Sequence, residues 1–295
     1  MKQMKRYSYF IVVLVACVIA LAGCKPGTED NGKERVVTVT IEPLRYFAEQ
    51  IAGPHFKVVS MVPEGNSPET YDPTPQQLID LAHSEAYFRI GYIGFEMSWM
   101  DKLKSNVPQM KVFDTSTGVN LIRDTHEHDG HVHEGGVDPH IWNSTVNAHI
   151  IVRNICNALC QLDSANSSFY THRLDSMNAV IDQTDTEIRS ILKEGSDKAF
   201  LIYHPALTYF AHDYGMEQIC IEEGGKEPSP AHLKELILKA KADGIHTIFV
   251  QKEFDQRNAE AVATETGTKL ISINPLSYQW REEMIRIAQA LKHEP

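Results

Sequence analysis

Five histidines fall between residues 124 and 142, in the stretch DTHEHDGHVHEGGVDPHIW. Imidazole nitrogen is a good donor for borderline metal ions, and the neighbouring Glu127, Asp129 and Glu134 add carboxylate oxygens. The run has two glycines close behind its fourth histidine and no hydrophobic period, so residues 125–135 are expected as a loop. Histidines on such a loop cannot hold one coordination geometry. His126, His128, His131 and His133 therefore read as an auxiliary, low-affinity metal site suited to transient capture. His140 stands apart from them, in the DPHIW segment beside an apolar tryptophan.

Three more chemistry-bearing residues stand where strands are expected to end. Glu69 follows VVSMVPEGN, His204 closes AFLIYH directly before Pro205, and Asn274 closes KLISIN. Ligands of open parallel sheets bind beyond the carboxyl ends of the strands. Glu69, His140, His204 and Asn274, from four separated segments, can therefore meet in one cleft.

The elements that must position them alternate. Strand patterns RVVTVT, FKVVSMV and AYFRIGY are separated by a helix ending at Gly53 and by TPQQLIDLAHSE, with Thr74 as its N-cap. The same grammar recurs after residue 196. The strands KAFLIYH, MEQICIE, IHTIFVQ and KLISIN alternate with helices, two of them closed by Gly215 and Gly244. Such alternation predicts βαβ units and parallel sheets. Between the two sets, residues 166–195 have no proline or internal glycine, and Phe169, Leu174, Met177, Val180, Ile181, Ile188 and Leu192 recur at helical spacing. A helix of that length spans about 40 Å. The fold class expected is α/β, with an N-terminal lobe (36–165), a linking helix (166–195) and a C-terminal lobe (196–295). A site would lie in the cleft between the lobes.

The N-terminus is of another kind. Lys2, Lys5 and Arg6 precede the apolar run YFIVVLVACVIALAG, which is short for a membrane span and reads as a signal peptide over residues 1–23. LAGC resembles a bacterial lipobox, making Cys24 the lipidation site and residues 24–35 a polar tether. Loss of the three positive charges takes the formal net charge from −11 to −14. Phosphate contacts need clustered Lys and Arg, so nucleic-acid binding is not expected. Cys156, Cys160 and Cys220 remain, an odd number that makes a poor disulfide framework; Cys156 and Cys160 share one helix face as a buried pair.

VPEGNSPETYDPTPQQL, DPHIWNS, YHPALTYFAHDYG and INPLSYQW together resemble, in order and spacing, the signatures of the zinc and manganese substrate-binding proteins of ABC transporters, over about residues 36–293. The resemblance implies two pseudo-symmetric lobes joined by one long helix, as in metal-type periplasmic binding proteins. It also implies a metal between the lobes, a lipid-anchored monomer on the periplasmic side of the cell envelope, and a membrane permease with its ATPase as partner. His140 and His204 match the family's second and third ligands. Glu69 stands where the family has a histidine, and Asn274 where it usually has an aspartate, so one carboxylate has moved between lobes and the ligand charge is kept. Glu227 and Glu253 are alternative fourth donors. A histidine at the third position points to Zn²⁺ as the transported ion, with Mn²⁺ the alternative. A surface adhesin is a further reading. An envelope metallohydrolase is the weakest, because the sequence has no H-E-x-x-H, G-x-S-x-G or P-loop.

Overall fold

Alternating β-branched and helical runs fold into two parallel four-stranded sheets in the computed structural model, which describes residues 34–128, 131–193 and 195–292, the side chains of 124–128 and 131–135 excepted. The N-terminal half runs β1 (Val36–Val39), α1 (Glu42–Ala52), β2 (Lys57–Ser60), α2 (Pro75–Leu81), β3 (Ser84–Arg89), α3 (Gly94–Asn106) and β4 (Lys111–Asp114), with sheet order β2-β1-β3-β4. Thr74 caps α2 as expected, in a reciprocal box with Gln77. Then come β5 (Arg123–His128), β6 (His131–Val137), α4 (Thr145–Leu162) and the long α5 (Ser167–Lys193). The second half runs β7 (Ala199–Ile202), α6 (Thr208–Tyr214), β8 (Glu217–Cys220), α7 (Pro230–Asp243), β9 (Thr247–Gln251), α8 (Arg257–Thr266), β10 (Lys269–Ile273) and α9 (Trp280–Ala290). Its sheet order, β8-β7-β9-β10, repeats the second-first-third-fourth order of the first sheet. Each sheet thus has its topological switch point between its first and third strands.

Of the expected loop at 125–135, residues 125–128 and 131–135 instead lie in two antiparallel strands, with His126 opposite His133 and His128 opposite His131. In the sequence, the Asp-Gly pair at 129–130 is a two-residue hairpin signal, and the lack of an apolar period hid it. The side chains of His126, His128, His131 and His133 lie outside the described residues, as does Cys24. The helix α3 and strand β4 are additional to the strand and helix patterns quoted from the sequence.

One core runs from the first sheet into the second. Tyr170, Met177, Ile181, Thr184 and Ile188 form the buried stripe of α5, which packs against α1 and α4 on one side and α9 on the other. Strand alternation divides the second sheet. Phe200, Ile202 and Phe249 face this shared core, whereas Leu201, Tyr203, Ile248 and Val250 face a second, local one. Cys156 and Cys160 are unpaired by disulfide, the first buried and the second half-buried against the shared core.

Beneath the first sheet's switch point lies a buried carboxylate. Glu96, near the start of α3, accepts hydrogen bonds from the Thr40 hydroxyl after β1 and from the Ile90 and Gly91 amides after β3. Burial raises its pKa to about 7, against these three donors, which favour the anion. A raised folded-state pKa means the folded protein keeps a proton that the unfolded chain releases, so this stabilisation is full below about 4.5 and fades as pH rises toward 7. Urea unfolding of wild type and Glu96→Gln at pH 5, 6 and 7 should show wild type losing roughly 2 kcal/mol relative to the variant across that window. A difference that is flat or grows with pH would contradict the assignment.

Candidate metal centre

His140 and His204 point their Nε2 atoms at each other, 3.3 Å apart. On the other side of each ring, Nδ1 meets a buried carboxylate: Asp138 Oδ1 at 3.0 Å for His140 and Glu222 Oε1 at 3.0 Å for His204. An ionised carboxylate can only accept, so each Nδ1 carries a proton, and in the neutral, metal-binding form of the rings each Nε2 presents a lone pair. Two facing lone pairs make no hydrogen bond, but they can share a cation. With metal–nitrogen bonds of about 2.0–2.1 Å, the nitrogen–nitrogen edge of a zinc tetrahedron is about 3.3–3.4 Å, which matches the spacing of the two rings. Burial opposes ionisation of Asp138, yet the His140 ring and amide hold its carboxyl below the usual range, keeping it a charged acceptor.

Several elements fix the two rings. His204 follows β7, and Gln251 ends β9, its neighbour at the switch point. The Gln251 amide donates to the His204 carbonyl at 2.7 Å and accepts from its N–H at 3.4 Å. Phe254 stacks on the His204 ring at 5.0 Å and 22°. His140 is anchored to the second half of the chain. Trp142 Nε1 donates to the Pro275 carbonyl at 2.8 Å, Trp280 Nε1 donates to the Trp142 carbonyl at 2.7 Å, and the Asn143 amide donates to the Ala206 carbonyl at 2.9 Å. The Tyr209 hydroxyl donates to the Asp138 carbonyl and accepts the Ile122 amide, both at 3.0 Å. Burial pushes its pKa to about 12, so it stays protonated.

The rings open onto a cavity that is also lined by Glu69, Trp142, Gln251, Glu253, Pro275 and Leu276. The structure therefore gathers Glu69, His140 and His204 around one space. It does not bring Asn274 there. The Asn274 side-chain oxygen accepts the Leu276 amide at 3.2 Å and its own N–H goes to Glu283, the pattern of an Asn-Pro turn. Glu253 lines the cavity, whereas Glu227 is exposed elsewhere. Among the described residues no three His, Cys, Asp or Glu side chains form a closed donor group: the histidine pair is assembled, while Glu69 bonds through Oε2 to the Gly94 amide at 3.1 Å.

The sequence reading missed Asp138, Glu222 and Gln251. Gln251 ends a strand and obeys the rule that picked His204 and Asn274. Asp138 sits two residues before His140 in the quoted motif. Glu222 closes the strand pattern MEQICIE and obeys the same rule, and the parallel pairing of β7 with β8 puts it beside His204.

With this geometry in view, comparison with known proteins is direct. Residues 37–292 match the family model described as zinc-uptake complex component A, periplasmic. The zinc-binding lipoprotein AdcA of Streptococcus pneumoniae is 28% identical over 300 residues, covering 95% of this chain. The chain spans only 57% of that relative's length. The manganese ABC transporter substrate-binding lipoprotein PsaA of Streptococcus anginosus is 27% identical, over 87% of this chain and 85% of its own. A crystal structure of ZnuA is 35% identical, covers 87% of this chain and 97% of its own, and superposes with a TM-score of 0.79. The match over both halves places the chain in the family of periplasmic zinc-uptake components.

Proposed function

We propose that this protein captures Zn²⁺ between its lobes and delivers it to a membrane ABC permease, acting by binding and not by turnover. The observation that carries this reading is the pair of Nε2 lone pairs at a tetrahedral spacing, each ring backed by a carboxylate. Glu69 is the third ligand, and Glu253 is the remaining cavity-lining carboxylate for the fourth position. Two neutral imidazoles and two carboxylates balance a doubly charged ion. Asn274 acts in the turn that presents Pro275 and Leu276. Manganese remains the alternative ion within the same family. The histidine-rich hairpin serves as a low-affinity antenna, and lipid at Cys24 tethers the protein, as a monomer, to the outer side of a membrane. No helix of the described residues is long and apolar enough to cross one.

Chelator-competition titration tests the cleft directly, using protein that starts at residue 25. Deleting residues 125–135 should leave one tight zinc site. His140→Ala, His204→Ala and Glu69→Ala should each weaken it by roughly 100-fold or more. Loss of tight binding with the hairpin, and not with the histidines, would place the site elsewhere.

The backing carboxylates give a second test. Asp138→Asn and Glu222→Gln each replace an acceptor that orients the ring, so zinc affinity should fall about 10–100-fold while thermal unfolding of metal-free protein changes little. Unchanged affinity in both variants would mean that the Nδ1 contacts do not position the rings.

A further inference from the structure

The loop that carries Glu69 is docked onto the first turn of α3 by two amides. Gly94 N–H donates to Glu69 Oε2 at 3.1 Å, and Phe95 N–H donates to the Pro68 carbonyl at 2.9 Å. Position 94 has no room for a side chain: an added Cβ would lie 2.7 Å from the Glu69 carbonyl oxygen and 2.7 Å from Oε2. The other carboxylate oxygen, Oε1, is buried and has no hydrogen-bond partner. A buried carboxylate oxygen without a donor is costly, and an ion in the adjoining cavity would satisfy it. Glu69 is thus held with one oxygen committed and one uncommitted.

We propose that Gly94 is a specificity-determining positioning residue: its amide retains Oε2, so that Glu69 meets the ion through Oε1 alone. This rests on Glu69 being a ligand, as proposed above. A carboxylate restricted to one oxygen suits a four-coordinate ion, whereas ions that favour six or more oxygen-rich contacts gain from a bidentate carboxylate. The amide also keeps the pair of oxygens from chelating, and the missing side chain at 94 lets Glu69 approach the helix closely enough for this. The Glu96 contacts to Ile90 and Gly91 brace the same segment from below.

The test is a double-mutant cycle in the full chain between Gly94→Ala and Glu69→Ala, with Co²⁺ as the optical probe and Zn²⁺ and Mn²⁺ affinities measured by competition. Wild type loaded with Co²⁺ should show the intense visible bands of a four-coordinate ion. Gly94→Ala should weaken those bands and lower the zinc-to-manganese affinity ratio by about tenfold. In the Glu69→Ala background the Gly94 substitution should change neither. Intact bands and ratio in Gly94→Ala, or equal effects in both backgrounds, would overturn the proposal. If Glu69→Ala alone leaves zinc affinity intact, the ligand assignment itself fails. Infrared difference spectra of zinc binding, wild type against Glu69→Gln, need no change at position 94. A one-oxygen carboxylate signature there is the expected result, and a chelating signature would overturn the inference.

Discussion

The interlock between Trp142 and Trp280 is the constraint on which the rest depends. Each indole is fully buried, and each N–H finds a main-chain carbonyl across the boundary between the two halves of the chain. A buried indole donor left unpaired would be penalised, so this register resists sliding. Trp142 lies two residues beyond His140, and its acceptor, Pro275, lines the same cavity. The position of His140 relative to His204 is thereby set by the core of the protein. The 3.3 Å separation of the two Nε2 atoms is held from behind by Asp138 and Glu222, and by Gln251 through the His204 main chain. In the proposed function the pair is a preorganised half-site.

Glu69 belongs to a different mechanical chain. Glu96 ties the strand ends of β1 and β3 to α3, and α3 in turn holds residues 68 and 69. The proposed centre joins two prefabricated parts: a histidine pair locked to the second sheet and a carboxylate docked on a helix of the first. Because α5 packs on both halves and the core is continuous, their relative motion is restricted to small adjustments of packed elements. Such a site needs little reorganisation to receive an ion, and its ligands pay little entropy on binding.

Much of this architecture was legible in the sequence. The two rounds of strand and helix, the caps at Thr74, Gly215 and Gly244, and the long helix all rest on local patterns, and local patterns survive folding. The helix expected at 166–195 lies at Ser167–Lys193. Glu69 and His204, which line the cavity, follow expected strands, and parallel sheets expose side chains beyond their strand ends. The same rule pointed to Asn274, whose oxygen is taken instead by the turn that its own Asn-Pro sequence creates. The hairpin at 123–137 was hidden because its alternation is polar on polar. The tryptophan interlock was not legible for another reason: it depends on a pairing between segments far apart in sequence, 142 with 280. Nothing at either position announces the other.

The most direct measurement is X-ray absorption at the zinc edge on protein lacking residues 125–135 and loaded with one equivalent of Zn²⁺. Two imidazole nitrogens and two oxygen donors are expected, all at about 2.0–2.1 Å. A shell with fewer than two imidazoles, or with sulfur, would contradict the central claim that His140 and His204 hold the ion together.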